Sequence, residues 1–229
     1  MLFRSGRVEQ LRLVSTDLGV AFRADAKAEG QEVVVGGWEC RGGTAPGAAR
    51  WFSAELNRKN APWAFSRGEP YRVIAALELF ATLLCIIVFG DAWPAGAAGE
   101  VRLQGITDNA GNSFVVTRLM TTKFPLVMIL AEVAAQLRMR GVALQLGWAP
   151  REQNEEADAL TNKEFGLFDP ARRVAVDVAA LPFLVLRDLE RVAGVLYEEV
   201  QARKTAGKVR PPAAPKRGKT SLKTREPWG

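Results

Sequence analysis

The polar and apolar positions change rhythm several times along the chain. Strand-like stretches come first: "LGVAFRADA" (18–26), "QEVVVGGWEC" (31–40) and "ARWFSAEL" (49–56). A short turn through Lys27 to Gly30 joins the first two, and Gly42 and Gly43 end the second. Three short strands in sequence predict a β-meander. A polar, Pro-containing loop (57–70) leads into "VIAALELFATLLCIIVF" (73–89), where Glu78 is the only charge. After a Gly/Pro/Ala loop (90–99), "EVRLQGITDN" (100–109) predicts a fourth strand and "GVALQLGWAP" (141–150) a fifth. Between them, 111–139 has helical spacing, interrupted near "TTKFP" because Pro125 disfavours helix at Phe124. "REQNEEADALTN" (151–162) predicts a short helix, with Glu152, Glu155 and Glu156 favourable near its N-terminus. The order β β β α β α β α is that of an α/β domain: a mixed sheet, first antiparallel and then built by crossovers. "RRVAVDVAAL" and a helix over 181–200 follow as an extension.

The apolar run 73–89 is long enough to raise the question of a membrane span. An acid inside a span costs about 2.5–3.5 kcal/mol on insertion scales. The flanks show no Lys/Arg asymmetry and no second span accompanies it. Around Glu78, positions three, four and seven residues away are Tyr71, Ile74, Ala75, Ala81, Thr82 and Cys85, a mostly small stripe. Such a stripe lets a helix approach a sheet closely and presents the acid at the contact. The segment is therefore read as a buried helix rather than a membrane element. A carboxylate there needs a proton, a cationic side chain or a metal.

Composition narrows the chemistry. Among 229 residues there is no His, which removes Ser-His-Asp and Cys-His catalysis and His-ligated zinc. A metal in this chain would be held by carboxylates, which favours Mg²⁺ or Mn²⁺. Cys40 and Cys85 are far apart and form no CxxC pair, so neither a disulfide framework nor a zinc site is expected. With no apolar leader visible at the start, the expectation is an intracellular protein, cytoplasmic or nuclear. The net charge of +6 is uneven: residues 201–229 hold nine Lys or Arg against Glu226 alone, leaving the first 200 residues slightly acidic. This basic, Pro-rich tail is read as disordered and suited to polyanions.

Three further acids stand where apolar segments end: Asp25, Asp108 and, in the acid-rich helix, Asp158 beside Ala157 and Leu160. Each has an ordinary alternative. Asp25 could be a turn residue, Asp108-Asn109 a helix cap, and Asp158 a solvated helix acid. Taken together with Glu78, their order and setting fit carboxylates gathered around two divalent ions about 3.5–4 Å apart, a clamp for phosphodiester cleavage. Asp17 in "STDLG" is a second candidate for the first acid; Asp25 is preferred because Gly30 and a β-rich segment follow it at hairpin distance.

"RADAKAEG", "VIAALELFATL", "GITDNAGN" and "LGWAPREQNEEADALTN" run in an order that resembles the ribonuclease H-like superfamily, across about residues 18–165. They look closest to the RNase H domain of retroelement reverse transcriptases. The last stretch is the most specific: Trp-x-Pro, then Arg-x-x-Asn-x-x-Ala-Asp-x-Leu. The resemblance implies a five-stranded mixed sheet with flanking helices, and metal-dependent hydrolysis of the RNA strand of RNA·DNA hybrids. It matches Asp25, Glu78, Asp108 and Asp158 to the four metal-binding acids, holding two Mg²⁺ or Mn²⁺ ions. On this reading Asp25 bridges both ions, Glu78 and Asp108 hold the one on the leaving-group side, and Asp158 the one nearer the water. Lys27, Asn109, Asn112 and Arg151 are candidate nucleic-acid contacts. Two departures stand out: no His precedes the last acid, and the first motif reads Asp25-Ala26-Lys27 where many relatives have Asp-Ala-Ser. The implied partners are an RNA·DNA hybrid and a reverse transcriptase polymerase domain. The competing reading is an inactive nucleic-acid-binding or structural module on the same fold. The expected layout is a lead-in (1–17), an RNase H-like domain (18–168), a helical extension (169–200) and the tail (201–229).

Overall fold

The first apolar segment forms a strand longer than its hydrophobic core, β1 (Thr16–Glu29). The computed structural model describes residues 16–66, 68–93 and 101–206. Positions 1–15, 94–99 of the expected loop and 207–229 of the expected tail lie outside the described residues. Gly30, with φ of 56°, provides the positive φ that the tight turn into β2 (Glu32–Glu39) requires. β3 (Trp51–Leu56) completes the meander. The strand order is β3-β2-β1-β4-β5, where β4 is Val101–Thr107 and β5 is Val142–Trp148. β1 pairs antiparallel with β2 and parallel with β4, and β4 pairs parallel with β5. This is the five-stranded mixed sheet with flanking helices that the resemblance implies.

α1 (Ile74–Phe89) is the apolar run. The stretch Pro70–Ala92 is long and apolar enough to cross a membrane, yet 83% of its most apolar window is buried inside the protein. The packing that buries it starts in the Gly36-Gly37 pair of β2. A Cβ on Gly37 would collide with the Cys85 sulfur of α1 and press on Phe52; one on Gly36 would come within 2.8 Å of the Leu160 Cβ. Leu160 belongs to α4 (Glu155–Thr161). Two consecutive glycines thus admit a helix on each face of one strand. Glycine weakens a strand interior, and here it marks close approach.

α2 (Ala110–Arg118) and α3 (Leu126–Arg140) replace the interrupted 111–139 segment. Behind α4 a second apolar layer gathers Trp38, Trp51, Ala157, Leu160 and Phe168.

The chain after α4 follows a path that its hydrophobic pattern does not announce. Trp51 donates its indole N–H to the Asp169 carbonyl (2.8 Å), and its ring packs on Phe165 and Phe168. Val174 then bonds to the Trp51 carbonyl, forming a bridge at Trp51–Arg173. That contact covers part of the β3 edge, which would otherwise offer unpaired backbone groups. The segment continues to α3, where the fully buried Glu132 accepts the N–H groups of Leu184 (2.9 Å), Val185 (2.7 Å) and Leu186 (2.8 Å). Glu132 therefore does from a distant helix what an N-cap residue does locally. It starts α5 at Leu186, five residues later than the 181 of the sequence reading, and α5 runs to Ala206. "LPFLV" stays outside the helix because Pro182 and the three donated N–H groups belong to the cap. The chain divides into two compact units, Met1–Glu190 and Arg191–Gly229. The described part of the second is the remainder of α5.

Candidate acid site

The carboxyl ends of β1 and β4 face the same way because these strands are parallel. Arg23 pairs with Ile106, so the position two residues on, Asp25, is level with Asp108 just beyond β4. Asp25, Glu78, Asp108 and Asp158 line a single cavity, together with Lys27, Ile74, Arg151 and Asn162. Asp17, the alternative first acid, lies near the other end of β1. Its carboxylate accepts the Gly19 N–H (2.8 Å) in a local turn.

Burial first, and the crowding of like charges second, shift Asp25 and Glu78. Burial raises Asp25 to about 6, with Asp108 and then Asp158 adding to the rise; hydrogen bonds from Thr161 and the Ala26 backbone oppose it. Burial raises Glu78 further, to about 8, followed by repulsion from Asp108 and Asp25; a hydrogen bond from the Asn109 side chain opposes it. Asp108 is also pushed up, by burial first. Glu78 Oε2 and Asp108 Oδ1 are buried and have no hydrogen-bond partner. Carboxylate oxygens sealed without a donor are costly.

These shifts set a pH dependence. Both Asp25 and Glu78 bind protons more tightly folded than unfolded. Their stabilising contribution is full below the ordinary carboxyl range and is lost as pH rises through about 6 and then about 8. Each unit of raised pKa corresponds to about 1.4 kcal/mol. In metal-free buffer the melting temperature is therefore expected to fall across this window. A flat profile between the two values would contradict the placement of these acids.

Asp158 differs from the inner three. Arg151 Nη2 pairs with its Oδ1, and Asn162 Nδ2 donates to its Oδ2 (2.8 Å). Lys27 lines the cavity and pairs with Glu29 at 3.1 Å. Asn109 caps α2, accepting the Asn112 N–H (3.2 Å). Asn112 lies elsewhere than a nucleic-acid contact requires. It is 1% exposed and gives its amide to the Ala75 carbonyl (2.9 Å), tying α2 to α1. Its spacing from Asp108 fits an accessible first turn, but the first turn of α2 faces α1.

Several positioning residues carry no role in the sequence reading. Thr161 Oγ1 donates to Asp25 Oδ2 (2.9 Å), locking that carboxylate from α4. Buried Asn154 gives its amide to the Ala24 carbonyl (3.2 Å), fixing α4 against β1 one residue before Asp25. Trp148 donates its indole N–H to the Asp108 carbonyl (2.9 Å). The Asn and the Trp stand in the quoted 148–160 motif, so the pattern that marks the region contains its scaffolding.

The donor set suits a hard divalent cation: carboxylate oxygens only, two of them sealed without partners, and raised pKa values that a nearby positive charge would reverse. Among the described residues, no group of three or more His, Cys, Asp or Glu side chains already stands together ready to hold a metal ion. The carboxylates share a cavity without closing into a chelate.

No protein-family model matches the chain, and no curated protein matches it. Among solved structures, RNase H1 from the halophilic archaeon Halobacterium salinarum NRC-1 aligns with TM-score 0.44 and 19% identity, over 64% of this chain and 96% of that one. The N-terminal RNase H domain of Rv2228c from Mycobacterium tuberculosis aligns with TM-score 0.43 and 14% identity, over 65% and 94%. LC11-RNase H1 in complex with an RNA/DNA hybrid aligns with TM-score 0.44 and 21% identity, over 63% and 94%. Similarity at this level carries no weight of its own.

Proposed function

We propose that this chain is a metal-dependent endonuclease of ribonuclease H-like type that hydrolyses the RNA strand of RNA·DNA hybrids. The observation that carries the proposal is the pair of sealed, partnerless oxygens on Glu78 and Asp108, in a cavity shared with Asp25 and Asp158. Buried carboxylate oxygens usually find a donor, and two that lack one in the same acid-lined cavity leave room for a cation. Asp25, Glu78, Asp108 and Asp158 would hold two Mg²⁺ or Mn²⁺ ions. Bound there, such ions supply an activated water and charge stabilisation at the leaving oxygen.

The chain's own groups do the rest. Thr161 and the Ala26 N–H orient Asp25, Asn109 orients Glu78, and Trp148 holds the backbone of Asp108. Lys27 and Arg151 bring positive charge to the wall of an otherwise acidic cavity, where backbone phosphates would be met. Discrimination of RNA would rest on the 2′-hydroxyl. The 148–160 motif supports descent from the retroelement branch. With it come a polymerase domain as partner and an intracellular setting.

One observation favours the second reading, an inactive nucleic-acid-binding module: Asp158 is already neutralised by Arg151. Incubation with a labelled RNA·DNA hybrid separates the two. The proposal expects internal cuts in the RNA strand with Mg²⁺ or Mn²⁺, none with chelator, and none in duplex DNA. Tight hybrid binding with no cleavage under either metal would favour the module.

A further inference from the structure

We infer that Arg151 is a built-in counter-cation of the site: its guanidinium holds the position beside Asp158 that a divalent ion would take. The two cation positions then differ in affinity, and the outer one fills only as Arg151 leaves. This rests on the proposal that the four acids hold divalent ions.

The acids are not equivalent. On the inner side, Glu78 Oε2 and Asp108 Oδ1 have no hydrogen-bond partner, so no side-chain cation or donor holds those oxygens against an ion. On the outer side both Asp158 oxygens are engaged, one by Arg151 and one by Asn162. Arg151 is held first by the hydrogen bond and charge of Asp158, and only secondarily feels Asp25 and Asp108, so its guanidinium serves the outer side of the cluster. Its side chain is 70% exposed, and it opens the short turn Arg151–Gln153 directly after Pro150. An ion pair held by so exposed a side chain is weak, and release costs little.

Once released, the guanidinium keeps its charge at the cavity wall that Lys27 also lines. A phosphate there would offer it a bidentate partner. One arginine thus neutralises either its own carboxylate or a phosphate. Ion entry at Asp158 and phosphate binding at Arg151 would then favour each other, and by linkage the effect is mutual.

Calorimetric titration with Mn²⁺, without nucleic acid, tests this on the full chain and on Arg151→Gln, Arg151→Lys and Asp158→Asn. The parent is expected to bind in a tighter and a weaker class. Arg151→Gln should tighten the weaker class about fivefold and leave the tighter one unchanged. Arg151→Lys, which keeps the charge, should stay near the parent, and Asp158→Asn should remove the weaker class. An unchanged weaker class in Arg151→Gln would overturn the role of Arg151 while leaving the metal site standing. Absence of Mn²⁺ binding in the parent and every variant would instead remove the metal site, and this inference with it.

Discussion

Glu78→Gln is expected to raise the melting temperature of the metal-free protein at alkaline pH and, in the same molecule, to remove hybrid cleavage. The two effects have one cause. Glu78 is buried in α1, and its pKa is raised to about 8 by burial and by repulsion from Asp108 and Asp25. Above that pH the folded protein carries an anion beside two other acids, with Oε2 lacking any donor. An amide of the same shape removes the charge and, with it, the repulsion from Asp108 and Asp25. The same change removes a ligand from the ion on the leaving-group side. Losing several kcal/mol of charge stabilisation corresponds to a rate loss of about a thousandfold or more. Thermal melts at two pH values and a cleavage assay on one preparation read both effects. A variant that is less stable at alkaline pH would mean that Glu78 is a structural acid. A variant as active as the parent would remove it from the metal site.

Glu132→Ala is expected to produce a large loss of stability. Glu132 is fully buried, and its two oxygens serve the N–H groups of Leu184, Val185 and Leu186 and the amide of Gln136. Truncation takes the acceptor from these donors, of which the Leu186 N–H and the Gln136 amide belong to buried residues, at a cost of about 1–3 kcal/mol for each donor that water cannot reach. The sum, partly relieved by relaxation, is roughly 4 kcal/mol, which lowers the melting temperature by on the order of 10 °C. The loss is expected to be local in origin. The start of α5 and the segment leading to it should open first, so limited proteolysis should cut within 174–186 in the variant and not in the parent. Glu132→Gln retains one acceptor oxygen and should fall between the two. Since Glu132 lies apart from the acid cavity, its loss should leave metal affinity per folded molecule unchanged.

The contrast between Glu78 and Glu132 also explains what the sequence could convey. Both are single acids in apolar helical surroundings. Glu78 is legible because it is the only charge in its apolar run and stands in order with Asp25 and Asp108, each at the end of an apolar segment. Glu132 gives no such signal, because apart from the Gln136 amide one turn away its partners are backbone groups more than 50 residues distant. The same limit governs the path of 162–186. Its course along β3 depends on the Trp51 ring and on Arg173, through its bridge to Trp51 and its guanidinium on the Ser53 carbonyl, and neither has a periodicity. The strand order follows from the meander and the two crossovers, which periodicity carries well. Gly36-Gly37 stood in plain view in "VVVGGWEC". Its meaning, a close helix on each side, needed the positions of Leu160 and Cys85. Asn112 illustrates the opposite failure. Helical spacing places it near Asp108, but spacing alone does not say which way the first turn faces, and it is consumed by the Ala75 carbonyl. Thr161 and Asn162 sit at the end of α4, where a sequence offers only short polar residues after a helix. Their hydrogen bonds to Asp25 and Asp158 give them a place in the site.

The central claim is that divalent ions relieve the crowding of Asp25, Glu78, Asp108 and Asp158, and one titration addresses it most directly. The melting temperature is followed at a pH just above 8 while Mg²⁺ or Mn²⁺ is added to chelator-treated protein. Binding to the folded state alone stabilises by mass action, by about 2.7 kcal/mol at a hundredfold excess over the dissociation constant. The account predicts a saturable rise in melting temperature that restores much of the stability lost between about pH 6 and 8, and that Asp108→Asn abolishes. A melting temperature indifferent to both ions over the millimolar range would contradict it.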